Sequence, residues 1–166
     1  MTTLVMLKTQ VAADMQLTEY NKIVNTRFQK IFENDRYIVA GAGCAGQLNR
    51  IFDWVMSNFV DSEGNQVVPF LHDREEISYE AAFIDKLNGR VFCVEGPYFD
   101  IIEVDYPVVL GTGSAVALGF MHDKPKDMPE LAFKAVEAAS NYDLFTGSNI
   151  QVVDVILLDG DEENEE

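Results

Sequence analysis

The residue best suited to chemistry is Thr2, which becomes the amino-terminal residue if Met1 is removed. It then carries a hydroxyl nucleophile and a free α-amine that can accept the hydroxyl proton. The ordinary pKa of an α-amine is roughly 7.7–8.0, so a modest shift leaves it neutral at working pH. The alternative is that Thr2 and Thr3 are ordinary strand residues after a start codon. An attached Met1 would block the amine and leave such a site inert.

The composition is that of one globular domain. The chain has 166 residues, of which 48% are hydrophobic, enough to bury a core. No apolar run approaches the roughly 20 residues needed to cross a bilayer, and the amino terminus lacks a signal-peptide pattern. Cys44 and Cys93 have no motif spacing, so we expect two buried, reduced thiols in a cytoplasmic protein. The separation of His72 from His122 argues against a histidine metal site.

The strong negative charge limits the partners that the protein can bind. The formal net charge is −16, which repels phosphates and makes nucleic acid an unfavourable partner. Part of this charge lies in residues 159–166, which cannot bury apolar surface and are predicted to form a solvated, flexible acidic tail. The remaining residues, 1–158, form the single predicted domain.

The hydrophobic pattern predicts several strands, a helix, more strands, two helices and a last strand. Predicted strands cover residues 2–9, 11–16, 29–32, 37–42, 79–85, 90–95, 99–104, 108–111 and 149–158. Predicted helices cover residues 44–59 and 114–121, and a third follows an N-cap at Asp127. Residues 17–25 are predicted as an ordered loop, and residues 61–76 have the weakest pattern. Strands that are apolar on both faces need cover on both sides, which favours an α+β fold with two stacked antiparallel sheets enclosed by helices.

Six short segments lie in order along nearly the whole chain. They are Thr2-Thr3-Leu4-Val5, Ala13-Asp14-Met15-Gln16-Leu17-Thr18-Glu19-Tyr20-Asn21, Lys30-Ile31, Ala40-Gly41-Ala42-Gly43, Gly111-Thr112-Gly113-Ser114 and Asp143-Leu144-Phe145-Thr146-Gly147. Together they resemble the proteasome β-subunit and HslV-type peptidases, the N-terminal-nucleophile (Ntn) threonine proteases. The resemblance implies a four-layer αββα sandwich of two stacked antiparallel sheets, the Ntn-hydrolase fold, with shortened helices. It also implies a cytoplasmic threonine protease that needs no metal or organic cofactor.

The resemblance assigns the chemistry to seven residues. Thr2 would be the nucleophile, and Lys30 would lower the proton affinity of its amine and hydroxyl. Asp14 would be the counter-charge of this buried lysine, and the backbone N–H of Gly41 would stabilise the oxyanion. The polar cluster that orients the α-amine would consist of Thr112, Asp143 and Thr146. Without the resemblance, Lys30 is a surface lysine, Asp14 a turn residue and Gly41 part of a tight turn.

Five further positions are implied in substrate binding. The backbones of Thr18 and Gly43 would pair with an extended polypeptide substrate. Leu17, Phe28 and Val39 would line an apolar specificity pocket, although a core position suits Val39 equally well. By the same resemblance we expect a homo-oligomeric ring that encloses the site, with an ATP-dependent unfoldase as a partner.

Two alternatives remain open at the level of sequence. The first is a non-catalytic ring-forming or interaction protein that keeps the fold and the polar cluster. The second is an Ntn amidase that acts on a small molecule. Both share the fold with the peptidase, so only the state of the amino terminus and the substrate separate the three.

Overall fold

The computed structural model describes residues 2–19, 22–60, 63–66, 79–95 and 100–158. Over these residues the chain forms eleven strands and three helices. The strands are β1 Thr3–Met6, β2 Gln10–Asp14, β3 Leu17–Glu19, β4 Lys22–Asn25, β5 Ile31–Glu33, β6 Tyr37–Gly43, β7 Tyr79–Asp85, β8 Arg90–Glu95, β9 Asp100–Val104, β10 Val108–Gly111 and β11 Ile150–Asp154. The helices are α1 Ala45–Met56, α2 Ser114–His122 and α3 Leu131–Ser140.

A four-stranded antiparallel sheet brings the two ends of the chain together. Its strand order is β10-β1-β2-β11. Thr3 at the start of β1 lies opposite Gly111 at the end of β10, and Ile150 at the start of β11 lies opposite Asp14 at the end of β2. All four of these residues therefore lie at the same end of this sheet.

A five-stranded antiparallel sheet has the order β5-β6-β7-β8-β9. Its β7–β8 hairpin has the bounds that the sequence predicts, because Asn88-Gly89 is a strong hairpin turn. Along β6 the side chains alternate between the two faces of the sheet, as the period of two requires. Ile38 and Ala40 pack on one face, and Tyr37 and Val39 pack on the other.

Three clusters of buried side chains make up the core. The first joins the two large sheets, since it combines Leu4 and Val11 with Ile38 and Ile84. The second lies between α1 and the opposite face of the five-stranded sheet, and the third lies between α2, α3 and the outer face of β1 and β2. The predicted α+β class is confirmed. No helix in the described ranges is both long and apolar enough to pass through a membrane.

The structure differs from the predicted elements at three places. Residues 17–25, predicted as a loop, contain β3 and β4, which pair only with each other and leave every residue of β4 exposed. The third helix begins at Leu131, after Glu130 in a left-handed conformation; the predicted N-cap Asp127 lies in the preceding turn, two residues before Pro129. Cys44 is exposed rather than buried because it precedes the first turn of α1. The predictions for residues 159–166 and for most of residues 61–76 lie outside the described residues.

Candidate active site

Thr2 directly precedes β1 and lies close to the end of β10, which also borders β6 of the other large sheet. Its side chain and backbone are only 2% exposed. A Cβ atom on Gly111 would fall on the Thr2 carbonyl oxygen and 3.3 Å from the Cβ of Ala42. Gly111 also has a φ of +89°, a conformation that favours glycine. The end of β10 therefore packs closely against Thr2, and Ala42 of β6 borders the same point from the other sheet.

The carboxylate of Asp14 organises the backbone around Thr2. It is fully buried and accepts four hydrogen bonds. Oδ1 accepts from the backbone N–H of Thr3 at 2.8 Å and from Nζ of Lys30 at 3.1 Å. Oδ2 accepts from the backbone N–H groups of Gln16 and Gly147, both at 3.0 Å. A buried charge is tolerated when it is paired and hydrogen-bonded in this way.

Lys30 is a buried cation that shares the carboxylate of Asp14 with the backbone of Thr3. The residue is 2% exposed and its ion-pair partner is Asp14. Burial lowers the pKa of Lys30 from its ordinary value, and the charge and hydrogen bond of Asp14 oppose this shift. Because Nζ shares Oδ1 of Asp14 with the N–H of Thr3, the ammonium group lies two hydrogen bonds away from the peptide bond that follows Thr2.

A second polar cluster contacts the side chain of Thr3. Asp143 Oδ2 accepts hydrogen bonds from the hydroxyls of Thr112 at 2.7 Å and Thr146 at 2.5 Å. The hydroxyl of Thr146 also lies 2.6 Å from that of Thr3. A threonine hydroxyl has one proton to donate, so Thr3 is the donor to Thr146. The three residues predicted to form a cluster do form one, and the hydroxyl of Thr3, the residue directly after Thr2, joins it.

Two predicted site residues lie on the face of β6 that packs against α1. Val39 is fully buried in the cluster that contains Leu48 and Phe52, which is the core position that the sequence left open beside a place in a substrate pocket. A Cβ on Gly41 would lie 2.5 Å from Cδ2 of Leu48 and 2.9 Å from the backbone oxygen of Glu80. Close packing against α1 and β7 accounts for this glycine. Its role as oxyanion donor stays a prediction.

The other predicted substrate positions lie on segments that adjoin the buried carboxylate of Asp14. Leu17 and Thr18 of β3 and Phe28 are all partly buried. The hydroxyl of Thr18 accepts from the side-chain amide of Gln16 at 3.2 Å, and the backbone N–H of Phe28 donates to the oxygen of Met15 at 2.8 Å. These bonds anchor the start of the β3–β4 hairpin beside the site.

Gly43, the remaining predicted substrate position, ends β6 with a φ of +121°. It is followed by the exposed Cys44, which precedes the first turn of α1 without a side-chain cap. The predicted pairing of Thr18 and Gly43 with a peptide stays a prediction.

Several residues that contribute to the site were not singled out from the sequence. Gln151 Oε1 accepts from the backbone N–H groups of Lys30 and Ile31, and Glu80 Oε2 accepts from the backbone N–H of Gly111 at 2.6 Å. The sequence does contain a hint for Gln151, because it is a polar residue inside the apolar run of the last predicted strand. No comparable signal marks Glu80, because its contact depends on how the two sheets stack.

Comparison with known proteins extends the description of the fold. No protein-family model and no curated protein matches the chain. Its structure is similar to two solved structures of Thiobacillus denitrificans BPH, one of them a complex with epoxomicin. In both cases the TM-score is 0.65, the sequence identity is 18%, and the match covers 95% of this chain and 98% of the other. The chain therefore shares its fold with BPH over nearly its whole length.

Proposed function

We propose that this protein is a threonine peptidase of the proteasome β-subunit and HslV type. After removal of Met1, Oγ1 of Thr2 attacks the carbonyl carbon of a peptide bond, and the α-amine takes the hydroxyl proton. The α-ammonium group then gives this proton to the nitrogen of the leaving amine as the C–N bond breaks, which leaves an acyl ester on Oγ1. A water molecule that the same amine activates hydrolyses this ester and restores the Thr2 hydroxyl. The observation that carries this proposal is the buried Asp14–Lys30 pair, which is joined through one oxygen atom to the backbone directly after Thr2.

The charges around Thr2 suit the two roles that its functional groups must play. A cation beside the amino terminus lowers the pKa of the α-amine and keeps it neutral, and it also stabilises the alkoxide that forms on Oγ1. A buried lysine is costly unless its charge is compensated, and Asp14 supplies the compensation. Asp143, through Thr112 and Thr146, offers hydrogen-bond acceptors that can orient the amine.

The oxyanion donor in this proposal belongs to the junction of β6 and α1. Ala42 borders the position of Thr2, and α1 begins three residues later. The first N–H groups of a helix have no partners inside the helix and point toward its amino terminus. Backbone donors that are fixed before the reaction stabilise a developing oxyanion well. Besides Gly41, the N–H groups of Gly43 and Cys44 are therefore candidates.

The packing of the core supports a four-layer αββα order, as in an Ntn hydrolase. One cluster joins the two sheets, one lies under α1, and one lies under α2 and α3. The similarity to BPH adds a chemical probe, since epoxomicin forms a complex with that protein. We propose that epoxomicin binds this chain at Thr2.

Turnover of fluorogenic peptides tests the proposal. Thr2→Ala removes the nucleophile, so we expect it to abolish turnover in a protein that stays folded. Lys30→Ala removes the cation and should abolish turnover too, and its fold is checked by circular dichroism because the change also breaks the buried pair with Asp14. Lys8→Ala is the matched control, because Lys8 is exposed, and it should keep wild-type turnover. Peptide hydrolysis that survives Thr2→Ala would refute the mechanism.

The state of the amino terminus provides an independent test. Mass spectrometry of the protein from its native source should show Thr2 as the first residue, because an acylated amine can be neither base nor free terminus. Epoxomicin should raise the melting temperature of this processed form and leave Thr2→Ala unchanged. If Met1 is always retained, the protein is not a Thr2 peptidase, and the non-catalytic alternative is favoured.

A further inference from the structure

The side chain of Gln151 connects the edges of the two large sheets. Gln151 lies in β11, at the edge of the four-stranded sheet, while β5 lies at the edge of the five-stranded sheet. Its Oε1 accepts hydrogen bonds from the backbone N–H groups of Lys30 and Ile31, both at 3.0 Å. Its Nε2 donates to the backbone oxygen of Ile31 at 2.7 Å. One amide thus satisfies three backbone groups where β5 begins.

This arrangement holds Lys30 at both ends. Gln151 binds its backbone N–H, and Asp14 binds Nζ at the tip of its side chain. The two anchors come from paired strands, since Gln151 lies opposite Ala13, the neighbour of Asp14. The position of the ammonium group is therefore fixed relative to the strand that carries Asp14.

We propose that Gln151 is a positioning residue that sets the distance between the Lys30 ammonium and Thr2. The proposal rests on the proposed peptidase function and adds to it a residue outside the resembling motifs. Without the amide, the start of β5 keeps its pairing with β6 but loses three backbone hydrogen bonds to the four-stranded sheet. The backbone of Lys30 is then less firmly held, and the position of its charge depends more on its flexible side chain.

The test is the peptidase kinetics of Gln151→Ala. A displacement of about 1 Å in a catalytic group can cost roughly 100-fold in rate, so we expect kcat to fall by about 10- to 100-fold. KM should change by less than about threefold, since Gln151 contacts none of the residues predicted to bind substrate. A glutamate at this position could not donate to the Ile31 oxygen, so Gln151→Glu should not restore kcat.

The pH profile separates positioning from a general loss of folding. The charged groups whose hydrogen bonds reach the residues around Thr2 are Lys30 before β5, Asp14 in β2, Asp143 before β11 and Glu80 in β7. Lys30 is the cation of this set, so its withdrawal raises the pKa of the amine. The acidic limb of kcat/KM should then move to higher pH in Gln151→Ala, whereas partial unfolding would lower the whole profile without moving the limb.

Gln10→Ala is the matched control. The amide of Gln10 also makes long-range hydrogen bonds, to Asp154 and to the backbone N–H of Phe133, but at the far end of β2. We expect wild-type kcat and an unshifted acidic limb. Wild-type kinetics in Gln151→Ala, or a loss of kcat without a shift of the limb, would overturn the positioning role alone. An inactive wild type with a free Thr2 would overturn the proposed function as well.

Discussion

The carboxylate of Asp14 connects four parts of the chain that are distant in sequence. Its donors belong to Thr3, Gln16, Lys30 and Gly147. The sequence predicts the charge pair, because the types and separation of Asp14 and Lys30 match those of a known family. It does not predict the backbone donors, since these depend on the register of β1 against β2 and on the path of the chain before β11. Such contacts follow from the fold and leave no pattern in residue types.

Replacing Asp14 with asparagine should strongly destabilise the protein. The change leaves Lys30 as a buried cation without its counter-charge, and breaking a buried ion pair from one side costs about 3–5 kcal/mol. Urea unfolding of Asp14→Asn measures this loss. Glu103→Gln, which removes the exposed ion pair with Arg90, is the comparison and should change stability little. Equal effects of the two changes would show that burial of the Asp14–Lys30 pair is energetically unimportant.

Gly113→Ala tests the close packing at the polar cluster. A Cβ at this position would fall on the hydroxyl of Thr3 and 2.9 Å from that of Thr146, so we expect a lower melting temperature and loss of peptide turnover. Gly119→Ala is the control. Gly119 lies in α2 with open space around it, and alanine favours a helix by about 1 kcal/mol relative to glycine. A Gly113→Ala protein as stable and active as wild type would contradict the described packing.

At the scale of elements, prediction succeeds where burial leaves a regular pattern. The apolar face of α1 and the Asn88-Gly89 turn fix the places of α1 and the β7–β8 hairpin. The β3–β4 hairpin is missed because its strands bury no full face, and β4 has no buried residue. The two positions open to Val39 could not be separated for a related reason, since a strand buried on both faces gives no sign of which face meets the site. The direction of each β6 side chain is decided by the helix that covers the sheet.

Tyr106, in the connection between β9 and β10, should make the free energy of unfolding decrease as the pH rises in the alkaline range. Burial raises the pKa of Tyr106 to about 12, and its hydroxyl donates to the backbone oxygen of Gly89 at 3.1 Å. Between pH 10 and about 12 the unfolded chain loses this proton while the folded protein keeps it, so stability falls as pH rises. Tyr106→Phe should reduce this decline in urea unfolding across that range. Tyr142→Phe changes a side chain that is 80% exposed. The stability of this variant should fall with pH as steeply as that of the wild type.

At the scale of the whole molecule, the proposed function calls for an enclosed assembly. A peptidase site open to the cell would cleave proteins indiscriminately, and a closed homo-oligomeric ring prevents this. Tyr142 and Leu144, on either side of Asp143, are 80% and 88% exposed, which is unusual for large apolar side chains close to one another. Contact with another copy of the chain would cover them. The unfoldase partner belongs to the same proposal and is supported by the family resemblance alone.

Native mass spectrometry measures the assembly. We expect the processed protein to appear as a single oligomer whose mass is a whole multiple of the chain mass. Leu144→Asp should shift the population toward smaller species, because a charge at a buried interface is unfavourable. Turnover per chain should fall with the assembled fraction. A monomer that hydrolyses peptides at the full rate would contradict the ring and leave the chemistry of Thr2 standing.

The buried carboxylate of Asp14 also has a consequence for the order of events during biosynthesis. Gly147 and Gln151 follow all the other described parts of the site along the chain, so a nascent polypeptide lacks two anchors until its last strand has left the ribosome. Protein synthesis itself would thus delay the onset of cleavage, and translation products that stop before Gly147 should be harmless to their neighbours.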